Sequence, residues 1–148
     1  MRKVVCNTSC LIALSNIGRL NLLNEVYGDI LITEDVAQEF GESIPDWIFI
    51  SEVADETNIQ LINNSLDIGE SSTIALAMEL DEALIILDDG KARRFAGGLG
   101  LTYTGTLGVV VKASKMGLDV DLKEIISDFR QMGFRIPNDI ENLLLENS

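Results

Sequence analysis

Asp88 and Asp89 stand side by side directly after Ala83–Leu87, a fully apolar run. Two carboxylates at the mouth of a buried strand repel each other unless a cation or hydrogen bonds compensate them. Such a pair can capture a hard divalent cation; its ordinary structural use is to cap the helix that follows, Lys91–Gly98. Asn7 occupies the matching point after the first apolar run, Lys3–Cys6. Its amide oxygen can ligate a metal or order a water, or it can form a turn or cap with Thr8 and Ser9. Glu39 falls near the end of the predicted helix Glu34–Phe40, where a negative charge opposes the helix dipole. Glu70 opens the predicted helix Gly69–Leu80 at its positive end, a placement that electrostatics alone explains. Each signal is weak singly; together they put two aspartates, an amide and two glutamates around strand ends. Hard oxygen donors of this kind suit magnesium or manganese, which polarise a phosphoryl oxygen and activate water. Lys91, Arg93 and Arg94 follow the aspartates at once and can meet a phosphate backbone, unless they are simply a solvated charge run.

The elements that must position these residues are short. β-Branched runs at Lys3–Cys6, Ile30–Thr33, Trp47–Val53, Ala83–Leu87 and Leu101–Tyr103 read as extended. Between them lie helical patterns at Cys10–Ile17, Leu20–Tyr27, Glu34–Phe40, Thr57–Leu66, Gly69–Leu80 and Lys91–Gly98. Thr106–Met116, Leu122–Met132 and Asp139–Leu145 complete the chain as helices. The alternation predicts an α/β fold, a three-layer α/β/α sandwich with a central parallel sheet, over one domain spanning 1–148. In such sheets ligands bind outside the carboxyl ends of the strands. That rule selects Asn7–Ser9, Asp88-Asp89 and Thr104–Thr106. At the far end, Phe134, Ile136, Leu143, Leu144 and Leu145 either form a dimer or partner surface or cap the sheet.

Composition narrows the chemistry. The chain has 148 residues and no histidine, which excludes His-based triads and mixed His/Cys zinc sites. Cys6 and Cys10 are the only cysteines, too few for a disulfide framework. A net charge of −13 opposes broad electrostatic binding to nucleic acid, so any such contact must be local. No apolar run approaches the ~20 residues of a membrane helix. Met1-Arg2-Lys3 looks superficially like a leader, but Asn7, Thr8 and Ser9 interrupt the apolar stretch; a buried first strand and a cytoplasmic location are expected.

The combination resembles the PIN-domain family, specifically the short stand-alone prokaryotic, VapC-like type. The likeness rests on Val4-Val5-Cys6-Asn7-Thr8-Ser9-Cys10-Leu11-Ile12, Leu14–Leu20 and Val36-Ala37-Gln38-Glu39. It continues through Gly69-Glu70-Ser71 and Ile74–Ala77 to Leu87-Asp88-Asp89-Gly90-Lys91-Ala92-Arg93, Gly100-Leu101 and Gly105-Thr106-Leu107-Gly108. The Asp-Asp-x-x-Ala-Arg block followed by Gly-Thr-Leu-Gly is its most specific part. The resemblance implies a Mg2+- or Mn2+-dependent endoribonuclease, a toxin with a small antitoxin partner, and a homodimer. It places Asn7, Glu39, Glu70 and Asp88 or Asp89 at the metal, with the four acids catalytic. Thr8, Ser9 and Thr106 would support them by hydrogen bonds, and Lys91 and Arg93 would position RNA. Asn7 departs from the pattern, since the family usually has an aspartate there. A neutral amide binds a hard dication less tightly and cannot serve as a base, so the other expectation is a weakened module that binds a protein or RNA without cutting. A phosphoacceptor signalling domain is disfavoured, because the acidic pair follows a late strand and no suitably placed lysine follows Leu101–Tyr103.

Overall fold

The computed structural model describes residues 2–136 and 138–146, with side chains through residue 142. Five strands, β1 (Lys3–Cys6), β2 (Ile30–Ile32), β3 (Ile48–Ile50), β4 (Ala83–Ile86) and β5 (Thr102–Thr104), pair in parallel in the order β3-β2-β1-β4-β5. The central pairing runs from Lys3 opposite Ala83 to Cys6 opposite Ile86. The strand order reverses direction between β1 and β4, which makes that gap the topological switch point where open α/β sheets bind ligands.

The period-two alternation of the strands divides the core between two faces. Val4, Cys6, Leu84 and Ile86 pack with α1 (Thr8–Asn16), α2 (Asn21–Tyr27), α7 (Thr106–Lys115) and α8 (Leu122–Gln131). Ile85 and Leu87 pack on the opposite face with α4 (Glu56–Asn63), α5 (Ile68–Met78) and α6 (Gly90–Gly98). The expected three-layer sandwich around a parallel sheet is therefore the observed architecture. Helix α3 (Glu34–Phe40) joins the first face through Val36 and Phe40, and it also touches α5. Helix α5 is buried from Ser71 to Ala77 because its residues are small or apolar. Its hydroxyls stay satisfied: Thr73 bonds the Gly69 carbonyl at 2.8 Å and Ser72 lies 2.7 Å from the Thr33 hydroxyl. No helix among the described residues is long and apolar enough to cross a membrane.

Two starts differ from the sequence expectation in ways that matter for the site. Helix α1 begins at Thr8 rather than Cys10, so the polar Thr8-Ser9 pair forms its first turn instead of a preceding loop. Helix α5 begins at Ile68, because Asp67 caps it by accepting the Glu70 N–H at 2.8 Å. Helix α9 (Asn138–Glu146) closes the chain; Arg130 ties it down by pairing with Glu141 and bonding the Ile136 carbonyl at 3.0 Å. Phe134 packs on Phe129 with ring centroids 5.0 Å apart, and Ile136 is buried in the first core, so these two cap the sheet. The side chains of Leu143, Leu144 and Leu145 lie outside the described residues.

Candidate active site

The Asn7-Thr8-Ser9 turn sits at the switch point, held by the Asn7 N–H on the Ile86 carbonyl at 3.0 Å. Asn7 occupies the cap position of α1, yet its side chain makes no cap bond. It is 5% exposed, and its Oδ1 has no hydrogen-bond partner. The capping explanation open to this residue in the sequence thus fails, and a buried acceptor with nothing to accept needs another account. The two residues that follow reach in opposite directions. The Thr8 hydroxyl donates to Glu39 Oε1 at 3.2 Å, and the Ser9 hydroxyl donates to Asp88 Oδ2 at 2.9 Å.

Asp88 and Asp89, indistinguishable in sequence, play different parts. Asp89 caps α6, accepting the Ala92 N–H at 2.9 Å. Asp88 instead accepts the Thr106 N–H at 2.8 Å and the Thr106 hydroxyl at 2.6 Å, besides Ser9. Three donors from two helices hold that carboxylate fixed at the mouth of β4. Of the three hydroxyls singled out in the sequence, those of Ser9 and Thr106 meet Asp88 and that of Thr8 meets Glu39.

Glu39 lies on α3 and Glu70 in the first turn of α5. Glu70 is pushed up to about 7, first by loss of hydration and then by the negative charges of Asp67, Asp89 and Glu39. Glu39 is raised by partial desolvation and by the charges of Asp67 and Asp35, against the Thr8 hydroxyl, which lowers it. Asp67 is therefore a member of this acidic group that the sequence reading missed. Its signal was there: an aspartate three residues before a glutamate at a helix start is the spacing of a capping box.

Gly69 lets Glu39 reach this position. A Cβ on Gly69 would overlap the Glu39 carboxylate. Gly69→Ala should swing Glu39 away at little cost to the fold, since the clash is with the end of a flexible side chain. The expected result is an unfolding midpoint within about 2 °C of wild type but Mn2+ affinity, measured by calorimetry, reduced by roughly 10-fold or more.

The basic residues are placed unequally. Lys91 and Arg94 are exposed on α6. Arg93 is half-buried: its Nε donates to the Leu87 carbonyl at 2.6 Å and its guanidinium lies over the Tyr103 ring at 5.3 Å. Gly105 makes room for it, because a Cβ there would overlap the guanidinium and lie 2.8 Å from Asp88 Oδ1. Arg93 is thus locked beside Asp88 rather than waving in solvent. The thiols take no part: Cys6 and Cys10 are buried and unpaired with each other by a disulfide, and burial together with Cys10 pushes the Cys6 thiol up, away from reactive thiolate character.

Residues 3–148 match the family described as DUF3368: PIN domain. The chain belongs to the PIN-domain family. No curated protein and no solved structure matches it. The match covers nearly the whole chain and agrees with the parallel sheet flanked by helices.

The donor types of this PIN domain fit a hard divalent cation. Asn7 offers a buried oxygen lone pair that nothing in the fold uses, and the glutamates beside it repel one another in a way a cation would relieve. The residues are not, however, drawn together as a finished coordination sphere. Among the described residues no three acidic or cysteine side chains converge closely enough to hold an ion. The expectation of a ready carboxylate cluster is corrected to that extent: Asp88 is bound up with Ser9 and Thr106, and Asp89 with its helix.

Proposed function

We propose that this PIN domain is a Mg2+- or Mn2+-dependent endoribonuclease of the VapC-like toxin type, working at the mouth between β1 and β4. The observation that carries the reading is the buried, unpartnered Oδ1 of Asn7 at an acidic strand end. An unused buried oxygen at that position supports a site for a ligand that takes oxygen donors. Asn7, Glu39, Glu70 and Asp88 would hold the ion, with Asp89 adding negative charge beside them. A bound dication would polarise the scissile phosphate and lower the pKa of attacking water.

The chain's own residues supply the rest. Ser9 and Thr106 keep the Asp88 carboxylate in one orientation, so it does not reorganise when substrate arrives. Arg93, fixed by Leu87 and Tyr103, presents its remaining N–H groups beside Asp88, where a phosphate oxygen can take them. Lys91, exposed at the start of α6, adds a second cation for the RNA backbone. A small antitoxin and a second copy of the chain belong to the same reading as its partners.

A second reading is favoured by two specific observations, the neutral Asn7 and the lack of three converging acids. It makes the protein a PIN module that binds RNA or a partner protein without cleaving. One experiment separates them: incubation of single-stranded RNA with the purified protein in EDTA, Mg2+ or Mn2+, beside the Asp88→Asn/Asp89→Asn double variant. Metal-dependent cutting that the double variant loses is the expected result. If wild type cuts nothing while Asn7→Asp cuts, the binding-module reading holds for the natural chain.

A further inference from the structure

A groove of about 730 Å³ opens from Asp88 across the β5 edge toward the start of α9. That volume lies within the ~300–1,000 Å³ range of small-molecule sites. Its walls run against the acidic balance of the chain as a whole. On a chain with 24 acidic and 11 basic residues, the groove holds two arginines, Arg93 and Arg135, against one acid, Asp88. It also gathers the aromatic side chains of Tyr103 and Phe134. Tyr103 is 40% exposed although it sits on a strand, and Arg135 is exposed at the rim. An exposed aromatic ring in a groove that also holds arginine guanidinium groups is the pattern that holds single-stranded nucleic acid, where bases stack on rings and phosphates meet arginine. A protein of net charge −13 has little general attraction for a polyanion, so a local basic and aromatic groove must supply it.

From this juxtaposition, and resting on the ribonuclease reading above, we infer that the groove is a nucleotide subsite that holds the RNA strand next to the scissile phosphate. A base stacks against Tyr103 and Phe134. Arg135 takes the phosphate one step away, and Arg93 bridges this subsite to the Asp88 mouth. Tyr103 and Arg135 are positioning residues: they set where the strand lies and touch no reacting atom.

The test is fluorescence anisotropy of a short labelled oligouridylate with the intact protein in EDTA at low salt, where no metal-dependent cutting occurs. Tyr103→Ala should weaken binding roughly tenfold and Tyr103→Phe should restore it. Arg135→Glu should weaken binding and lower the slope of log affinity against log salt by about one or more. In cleavage with Mn2+ Arg135→Glu should raise KM and leave kcat unchanged, while Tyr103→Ala should raise KM and, by freeing Arg93, lower kcat as well. Wild-type affinity in Tyr103→Ala and Arg135→Glu, or no saturable binding by wild type, overturns the subsite. Cleavage by wild type with KM unmoved in the variants would remove the subsite and keep the ribonuclease. Binding that depends on Tyr103 and Arg135 without any cleavage would keep the subsite and remove the ribonuclease.

Discussion

Asn7→Asp should bind Mn2+ at least about tenfold more tightly than wild type and cleave RNA faster, because ligand charge count tunes the affinity of oxygen sites for hard cations. The same substitution should destabilise the metal-free protein. Asn7 is 5% exposed and its Oδ1 has no donor to meet, so an aspartate there adds a buried charge beside Glu39 and Asp88 with nothing to pair it. A loss of roughly 3 kcal/mol is expected without metal, and saturating Mn2+ should recover it by binding only the folded state. Thermal unfolding with EDTA and with Mn2+ checks both halves. An aspartate that leaves the midpoint unchanged in both buffers would show that position 7 does not face the acidic mouth. The wild-type amide is, on this account, the residue that keeps the metal-free fold stable at the expense of affinity.

Glu70 gives the second large effect, and its sign is fixed first by lost hydration and then by its acidic neighbours. Its carboxyl is raised to about 7 in the fold, against about 4.3 in an unfolded chain. Between those values the folded state holds more protons than the unfolded one, so this group's contribution to stability is greatest at low pH and is lost as pH rises through about 7. Glu70→Gln should therefore stabilise the metal-free protein at pH ~8 and leave it unchanged near pH ~4. Glu70 is only partly buried, so solvent screening holds the gain to roughly 1 kcal/mol, about 3 °C in the unfolding midpoint. With Mn2+ present the order should reverse, because the variant loses a ligand. Equal midpoints for Glu70→Gln and wild type at pH ~8 in EDTA would mean that neither lost hydration nor the surrounding carboxylates raise this group.

The sheet was legible because its signals are local. Ala83–Leu87 is apolar throughout, Val4 and Val5 are β-branched, and Gly18, Gly28 and Gly117 mark turns where the backbone has positive φ. The site was legible as a set of residues, since the strand-end rule alone selects Asn7, Asp88 and Thr106. What stayed hidden depends on contacts between distant parts of the chain. Only the Thr106 and Ser9 bonds separate Asp88 from Asp89, and these join residues 18 and 79 positions apart. The role of Gly69 is likewise invisible until Glu39, on another helix, is found against it. The early start of α1 escaped because Thr8 and Ser9 resemble a cap, and here they are the first helical turn whose hydroxyls face two different acids. The sequence offered Arg93 as an RNA-positioning residue or part of a solvated charge run; its bond to Leu87 and its stacking on Tyr103 arise only when α6 packs beside β5.

The most direct measurement of the central claim, that the mouth between β1 and β4 is a divalent-cation site, is calorimetric titration of Mn2+ into the metal-free protein at pH ~8 and pH ~6. Saturable binding is predicted, tighter at the higher pH because Glu70 must give up its proton, with proton release seen as a dependence on buffer ionisation heat. Asp88→Asn should abolish that binding. Absence of saturable binding at either pH, or binding that Asp88→Asn leaves intact, would contradict the account.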